Sequence, residues 1–276
     1  MYFRPVTPAQ VKNSFSSIGE VEASVSPSAL VIKLSVTNSS LRYFVLSQTH
    51  QQIIFYGDYT LHHVANASEL AQRIEKIFEK DEILQLPYSE ILIALDEKYS
   101  LVPTEFSFMI NRNEQLSQQC AGIEIVFESA EAIIQSLKKL FGNSEFLHLN
   151  STYFNLLPAY LNSESEKLFV NVGQSHLDII YFDSEKKLKL MNRYDYQAAT
   201  DFIYFLLLCA DELKIDRENI ELVLLGEVDI QSKIHDLCYK YFRNISFIQK
   251  PETINFTKSF DVFSKHLHFN LYNLTA

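Results

Sequence analysis

The run VNVGQSHLDII, residues 170–180, places one glycine between two stretches of strand formers, with Asn171 before the turn and Asp178 after it. Two further turns share that outline. KLSVTNSSL at 33–41 brings Lys33, Thr37, Asn38 and Ser39 to a strand end, and LVLLGEVDI at 222–230 does the same for Gly226 and Glu227. Strand-to-strand turns of this kind can hold a polyphosphate. Glycine lets backbone N–H groups approach phosphate oxygens, and nearby carboxylates hold the accompanying magnesium directly or through its waters.

Other chemistries fit less well. Gly173-Gln174-Ser175 contains Gly-x-Ser, but it lacks the closing glycine of a nucleophile elbow and joins two strands rather than a strand and a helix. A two-metal nuclease needs clustered carboxylates; Asp178 is one candidate, yet the first strand of neither half carries an acid. His62-His63 and His266-x-His268 lack a third ligand at a useful spacing. Asp96-Glu97 and Glu124/Glu128 read as solvated edges rather than an acid/base pair, since nothing in sequence drives their pKa values apart.

The elements that must position these turns occur twice. ALVIKLSV, LRYFVLSQ and QQIIFYGDY predict three hairpin-linked strands, followed by a helix with Leu70, Ile74, Ile77 and Phe78 on one face and a covered strand, SEILIALDE. KLFVNV, HLDIIYF and KLKLMNRY repeat the three strands. A helix over 199–213, apolar almost all round and so expected to be buried on more than one side, leads to the strand ELVLLGE. A last helix follows a predicted Asp229 cap, and NISFIQ closes the order as a strand. Between the copies lies one more helix, capped by Ser129 and ended by Gly142. Two βββαβ units in one chain predict two α/β domains, residues 1–150 with an N-terminal extension and an inserted helix, and residues 151–276.

Composition narrows the function classes. The chain has 276 residues, 47% hydrophobic, enough for two such cores. A formal charge of −10 argues against nucleic-acid binding, which draws on clustered Lys and Arg. No apolar run is long enough for a membrane span, and Met1–Glu20 has no targeting signal, so a cytoplasmic location is expected. Cys120, Cys209 and Cys238 are scattered and odd in number, which excludes a disulfide framework. Among 21 Phe and 15 Tyr, the trio Tyr194, Tyr196 and Tyr204 is expected to form an exposed aromatic cluster suited to protein contact.

The duplicated order resembles the actin-like ATPase fold, two RNase H-like lobes around a nucleotide cleft. The hairpin at 170–180 is similar to its second phosphate loop, with Gly173 and Asp178 in register; Thr37–Ser39 resembles the first loop and Gly226 the adenosine turn. The run Asn192 to Tyr196, Asp201 to Leu206 and Leu225 to Glu227, with Leu101–Pro103, resembles an uncharacterised bacterial family of that fold. The resemblance implies architecture and a cleft lined by Lys33, Thr37, Asn38, Ser39, Asn171, Gly173, Gln174, Ser175, Asp178, Gly226 and Glu227.

The departures from that pattern bear on function. Lys33 and Asn171 stand where the two loops carry aspartates, Ser35, Gln174 and Ser175 replace glycines, and His176 replaces threonine. Asparagine brings no charge to a metal, added side chains disfavour the cradle, and Glu227 repels a polyphosphate. With only 6 glycines in the chain, the expectation is a noncatalytic adaptor or assembly component that binds another protein and needs no cofactor or metal. The alternative is a nucleotide-binding protein or weak ATPase using ATP and magnesium in the cleft.

Overall fold

Strand-forming sequence at Leu30–Thr37 is buried along almost its whole length, the mark of a strand covered on both faces. The computed structural model that shows this describes residues 13–21, 26, 29–112, 114–142, 144–161 and 166–275. The segment before residue 13, most of the stretch read above for targeting signals, lies outside them.

The chain divides into two compact units. The first comprises Met1–Thr152, Glu252–Val262 and Asn270–Ala276; the second, Tyr153–Pro251 and Phe263–Phe269. Neither unit is continuous in sequence, since Glu252–Val262 and Asn270–Ala276 belong to the first and Phe263–Phe269 to the second.

The first unit contains β1 (Asn13–Gly19), β2 (Leu30–Thr37), β3 (Ser40–Ser47), β4 (Gln52–Leu61), α1 (Ala67–Phe78) and β5 (Glu90–Leu95). Next come β6 (Tyr99–Pro103), β7 (Leu116–Cys120), β8 (Ile123–Phe127), α2 (Glu131–Phe141), β9 (Phe146–His148) and the start of α3 (Ser151–Leu156). Its main sheet has the order β1-β4-β3-β2-β5-β9. The first three pairings are antiparallel, and β5 and β9 run parallel to β2. Helix α1 buries Leu70, Ile74 and Ile77, as its spacing predicts, together with Ala71, while Phe78 is half-buried, and Asn66 caps the helix by accepting the Glu69 N–H. The cap of α2 differs from expectation: Ala130 occupies it, and Ser129 instead donates to Glu97 at 3.0 Å. Strands β6, β8 and β7 form a separate antiparallel sheet.

The second unit holds β10 (Lys167–Val172), β11 (His176–Phe182), β12 (Leu188–Asp195), α4 (Ala199–Glu212), β13 (Glu221–Gly226), α5 (Lys233–Tyr241) and β14 (Asn244–Phe247). Its sheet runs β12-β11-β10-β13-β14, antiparallel through the hairpins and parallel from β10 onward. Leu168, Val170 and Val172 of β10 and Leu177 and Ile179 of β11 pack with Phe202 and Leu206 of α4 in one core.

Two helix expectations are corrected here. Helix α4 buries one face only, for Tyr204 and Leu208 are 60% and 40% exposed. Helix α5 is capped by Ser232, which accepts the His235 N–H, while Asp229 caps the turn before it by accepting from Gln231. In the C-terminal stretch, β15 (Asn255–Phe256) pairs with β4. Leu271 and Tyr272 of α6 (Phe269–Tyr272) and Leu274 just after it are buried. Among the described residues no helix is long and apolar enough to cross a membrane.

Candidate functional site

In the second unit, three neighbouring strands place Asn171, Asp178 and Arg193 side by side. The register sets Asn171 opposite Asp178 and Asp178 opposite Arg193. Because strand side chains alternate, all three lie on the face away from α4. Asp178 is fully buried, and its carboxylate is engaged from two sides. Arg193 donates from Nε to Oδ1 (2.8 Å) and from its terminal nitrogen to Oδ2 (3.0 Å), and Asn171 Nδ2 donates to Oδ2 at 3.1 Å. Burial alone pushes the Asp178 carboxyl up. The Arg193 charge and hydrogen bonds outweigh it, aided by His176 and Asn171, and hold the group below its ordinary value. Arg193, whose side chain is 8% exposed, stands where no sequence pattern had placed a functional group.

The turn beside them is closed by its own backbone. The Gly173 N–H donates to the His176 carbonyl (2.8 Å), and the Gly173 carbonyl accepts from the Tyr196 hydroxyl (2.6 Å). A Cβ on Gly173 would lie 2.6 Å from the His176 ring, so glycine here makes room for an imidazole. Gln174 and Ser175 form the exposed tip, fastened to β12 through the Tyr196 N–H and the Ser175 carbonyl.

Gly226 packs against the same hairpin. Its φ of +84° suits glycine, and a Cβ would meet the Val172 carbonyl oxygen at 2.3 Å and Asn171 Oδ1 at 2.5 Å. The Glu227 N–H donates to the Val172 carbonyl (2.6 Å) and the Gly226 N–H to the His266 carbonyl (2.9 Å). His266 Nε2 donates to the Val228 carbonyl at 2.8 Å, and burial lowers that ring's pKa. Asn171, Gly173, Asp178, Gly226 and Glu227 are thus brought together, joined by Arg193, Tyr196, His176 and His266.

The remaining candidates lie in the first unit. Lys33 on β2 is 6% exposed and donates from Nζ to the Tyr272 carbonyl at 2.7 Å. Burial lowers its pKa to about 8, partly countered by Glu90. Thr37 Oγ1 accepts the Ser39 N–H (3.1 Å) and bonds the Ser40 hydroxyl (2.9 Å), and the Ser39 carbonyl accepts from Leu61 at 2.6 Å. Asn38 is the exposed residue of this loop. It borders two hollows of about 500 and 460 Å³ that share Glu97 and Glu128, the larger edged also by Ser129 and the residues leading into α1 and the smaller by Tyr99 and Gln115.

Lys33 makes stability depend on pH in a stated direction. The folded chain releases this proton near pH 8 and the unfolded chain near 10.5, so between them the unfolded state holds more protons. Stability therefore rises with pH in that window, on the order of 1 kcal/mol per unit. Urea unfolding midpoints should climb there in the wild type, and Lys33→Met should remove the climb.

The expected tyrosine cluster is not an exposed group. Tyr194 stacks on Phe205 (4.9 Å) and its hydroxyl lies 3.2 Å from Cys209 Sγ, while Tyr196 is tied to Gly173. Tyr204 alone of the three is exposed. The histidine pairs stay apart from any ligand set: among the described residues no three His, Cys, Asp or Glu side chains are grouped to hold a metal. The three cysteines are buried and free.

Solved structures share this architecture. One from Bacteroides thetaiotaomicron VPI-5482, described as having an actin-like ATPase fold and unknown function, matches 80% of this chain and 91% of its own at 14% identity, with a TM-score of 0.68. A PilM-PilN type IV pilus biogenesis complex contributes a chain matching 87% of this one and 96% of its own at 13% identity, with a TM-score of 0.54. No curated protein sequence matches the chain. The fold is therefore that of the actin-like ATPases. The family model described as protein of unknown function DUF3822 matches residues 26–117 and 105–245, and the chain belongs to that family.

Proposed function

We propose that this protein is a noncatalytic member of the actin-like fold, an adaptor or assembly component that binds another protein in the cytoplasm. The observation that carries the reading is the two-pronged Arg193 contact on buried Asp178. The one aspartate retained from the phosphate-loop pattern is already neutralised by a cation of the same sheet, leaving it no charge with which to attract magnesium.

The other positions point the same way. Lys33 directs its ammonium at a carbonyl of its own unit, Ser39 spends its N–H on Thr37, and Gly173 spends its N–H closing the hairpin. This donor set does not fit a metal–triphosphate, so no catalytic step is derived through one. Within this fold, the PilM-PilN complex is a case in which a chain assembles with a protein partner. Here the segment Thr104–Met109 leaves Phe108 82% and Met109 71% exposed, more apolar surface than a solvated turn requires.

A thermal-shift titration tests the reading. Millimolar ATP with magnesium is expected to leave the unfolding midpoint unmoved, and the purified protein to retain a stoichiometric protein partner whether or not nucleotide is added. A saturable rise in the midpoint, about 2.7 kcal/mol at a hundredfold excess over Kd, would replace it with a nucleotide-binding function.

A further inference from the structure

Among the described residues, β12 pairs with β11 on one side and has no strand on the other. Edge strands offer a ready template for another strand, and proteins commonly guard them. Two guards are visible. A register irregularity opposite Tyr181 and Phe182 leaves Lys189 as an extra residue, and the Asn192 amide oxygen accepts the Arg193 N–H at 3.0 Å. That second bond shows that the Arg193 N–H points outward. Since the Tyr196 N–H points inward to Ser175, alternation turns the backbone groups of Met191 and Arg193 to the outer edge and those of Asn192 to β11.

We propose that this edge is a self-association surface on which a second copy of the chain pairs its own β12, antiparallel and centred on Asn192. Charge selects the register. Centring on Asn192 sets Lys189 across from Asp195 twice, Leu190 across from Tyr194 twice, and Asn192 across from itself. Centring on Met191 would face Lys189 with Arg193, and centring on Arg193 would face two guanidinium groups; like charges directly opposite are unfavourable. Lys189 already reaches Asp183 at 3.0 Å, yet its side chain is 49% exposed and has further donors to offer.

The helix side of the sheet supports the same occupant. Tyr194 stacks on Phe205, Phe205 meets Tyr204 edge-on at 5.3 Å, and Leu208 lies one turn further along α4. Tyr204 and Leu208, 60% and 40% exposed, extend the apolar face next to the open strand. A two-fold axis through Asn192 would bring this face against its copy, the self-complementary arrangement of a symmetric dimer. The Asn192 amide must swing off the Arg193 N–H for the strands to join, which makes it a movable guard.

The geometry allows a direct test with the full chain. Opposed residues in a non-hydrogen-bonded antiparallel pair have Cα atoms about 4.5 Å apart, within disulfide range. Asn192→Cys is expected to give a covalent dimer under mild oxidation against a low background, because the native cysteines are buried. Light scattering should show a concentration-dependent wild-type dimer. Asn192→Asp, which sets two carboxylates face to face at an exposed position, should be monomeric, with the unfolding midpoint that the wild type shows at concentrations too low for it to dimerise. A wild type monomeric at every concentration, a dimer indifferent to Asn192→Asp, or an Asn192→Cys variant that does not cross-link to its own copy or is captured only by a different protein would each overturn the proposal.

Discussion

Arg193→Ala is expected to destabilise the protein by about 3–5 kcal/mol, because it leaves a buried carboxylate without its cation. Asp178 is 0% exposed, the Asn171 Nδ2 hydrogen bond to it comes from a neutral amide, and His176 Nε2 stands 3.9 Å away, beyond a hydrogen bond. The pH dependence distinguishes this from lost packing. In the wild type the Asp178 pKa lies below its ordinary 3.8, so its contribution is present above that pH and is lost as pH falls through the folded value. Without Arg193, burial dominates and the folded pKa rises above the unfolded one, so protonation relieves the strain. The deficit should therefore be largest near neutral pH and shrink on acidification. Removing both charges, Asp178→Asn with Arg193→Met, should recover most of the loss, since a buried ion pair contributes little beyond satisfying its own members. Urea unfolding of the two variants across pH decides the matter: a loss constant with pH, or a double variant no better than the single one, would refute it.

Gly226→Ala is the second large effect, expected at about 2–5 kcal/mol. A left-handed backbone costs a side-chain-bearing residue about 1–2 kcal/mol, and overpacking adds about 1–3. The steric part cannot be relieved cheaply, because moving Asn171 Oδ1, at 2.5 Å, would still leave the backbone oxygen and nitrogen of Val172 at 2.3 and 2.9 Å. The flanking bonds, Gly226 N–H to His266 and Glu227 N–H to Val172, hold the turn against the strand. Gly173→Ala is the informative comparison. Its contact is with the His176 ring, and trimming that ring in Gly173→Ala/His176→Ala should restore stability. No second-site trimming should rescue Gly226→Ala. Equal unfolding midpoints for Gly226→Ala and the wild type would show that the turn moves freely.

Much of the architecture is legible in the order of apolar runs. Three strands, a helix and a covered strand, stated twice, give the centre of both main sheets, because alternation and helical spacing record which face each element buries, but β1 and β9 at the ends of the first sheet are not among them. The same reading misses the sheet of β6, β7 and β8. Leu116–Cys120 reads LSQQC, too short and too polar to show alternation, and it is a strand because β8 hydrogen-bonds along it. Helix caps slip at α2 and α5 because tertiary contacts choose them: Ser129 is drawn off to Glu97, leaving Ala130 at the start of α2, and of Asp229 and Ser232 before α5 it is Ser232 that accepts the His235 N–H.

The candidate site divides along the same line. The resemblance to actin-like ATPases sets Lys33 and Asn171, as an expectation, where that pattern carries aspartates, and the order of apolar runs puts Gly226 at a turn after a strand. Only the tertiary structure decides what those residues do instead. Arg193 meets Asp178 because β12 lies beside β11 in one particular register, and Lys33 is bonded to Tyr272, which is 239 residues away along the chain. Local periodicity carries the direction in which a side chain points. The group it meets there depends on strand order and chain return, and these follow from how the whole unit buries its apolar surface.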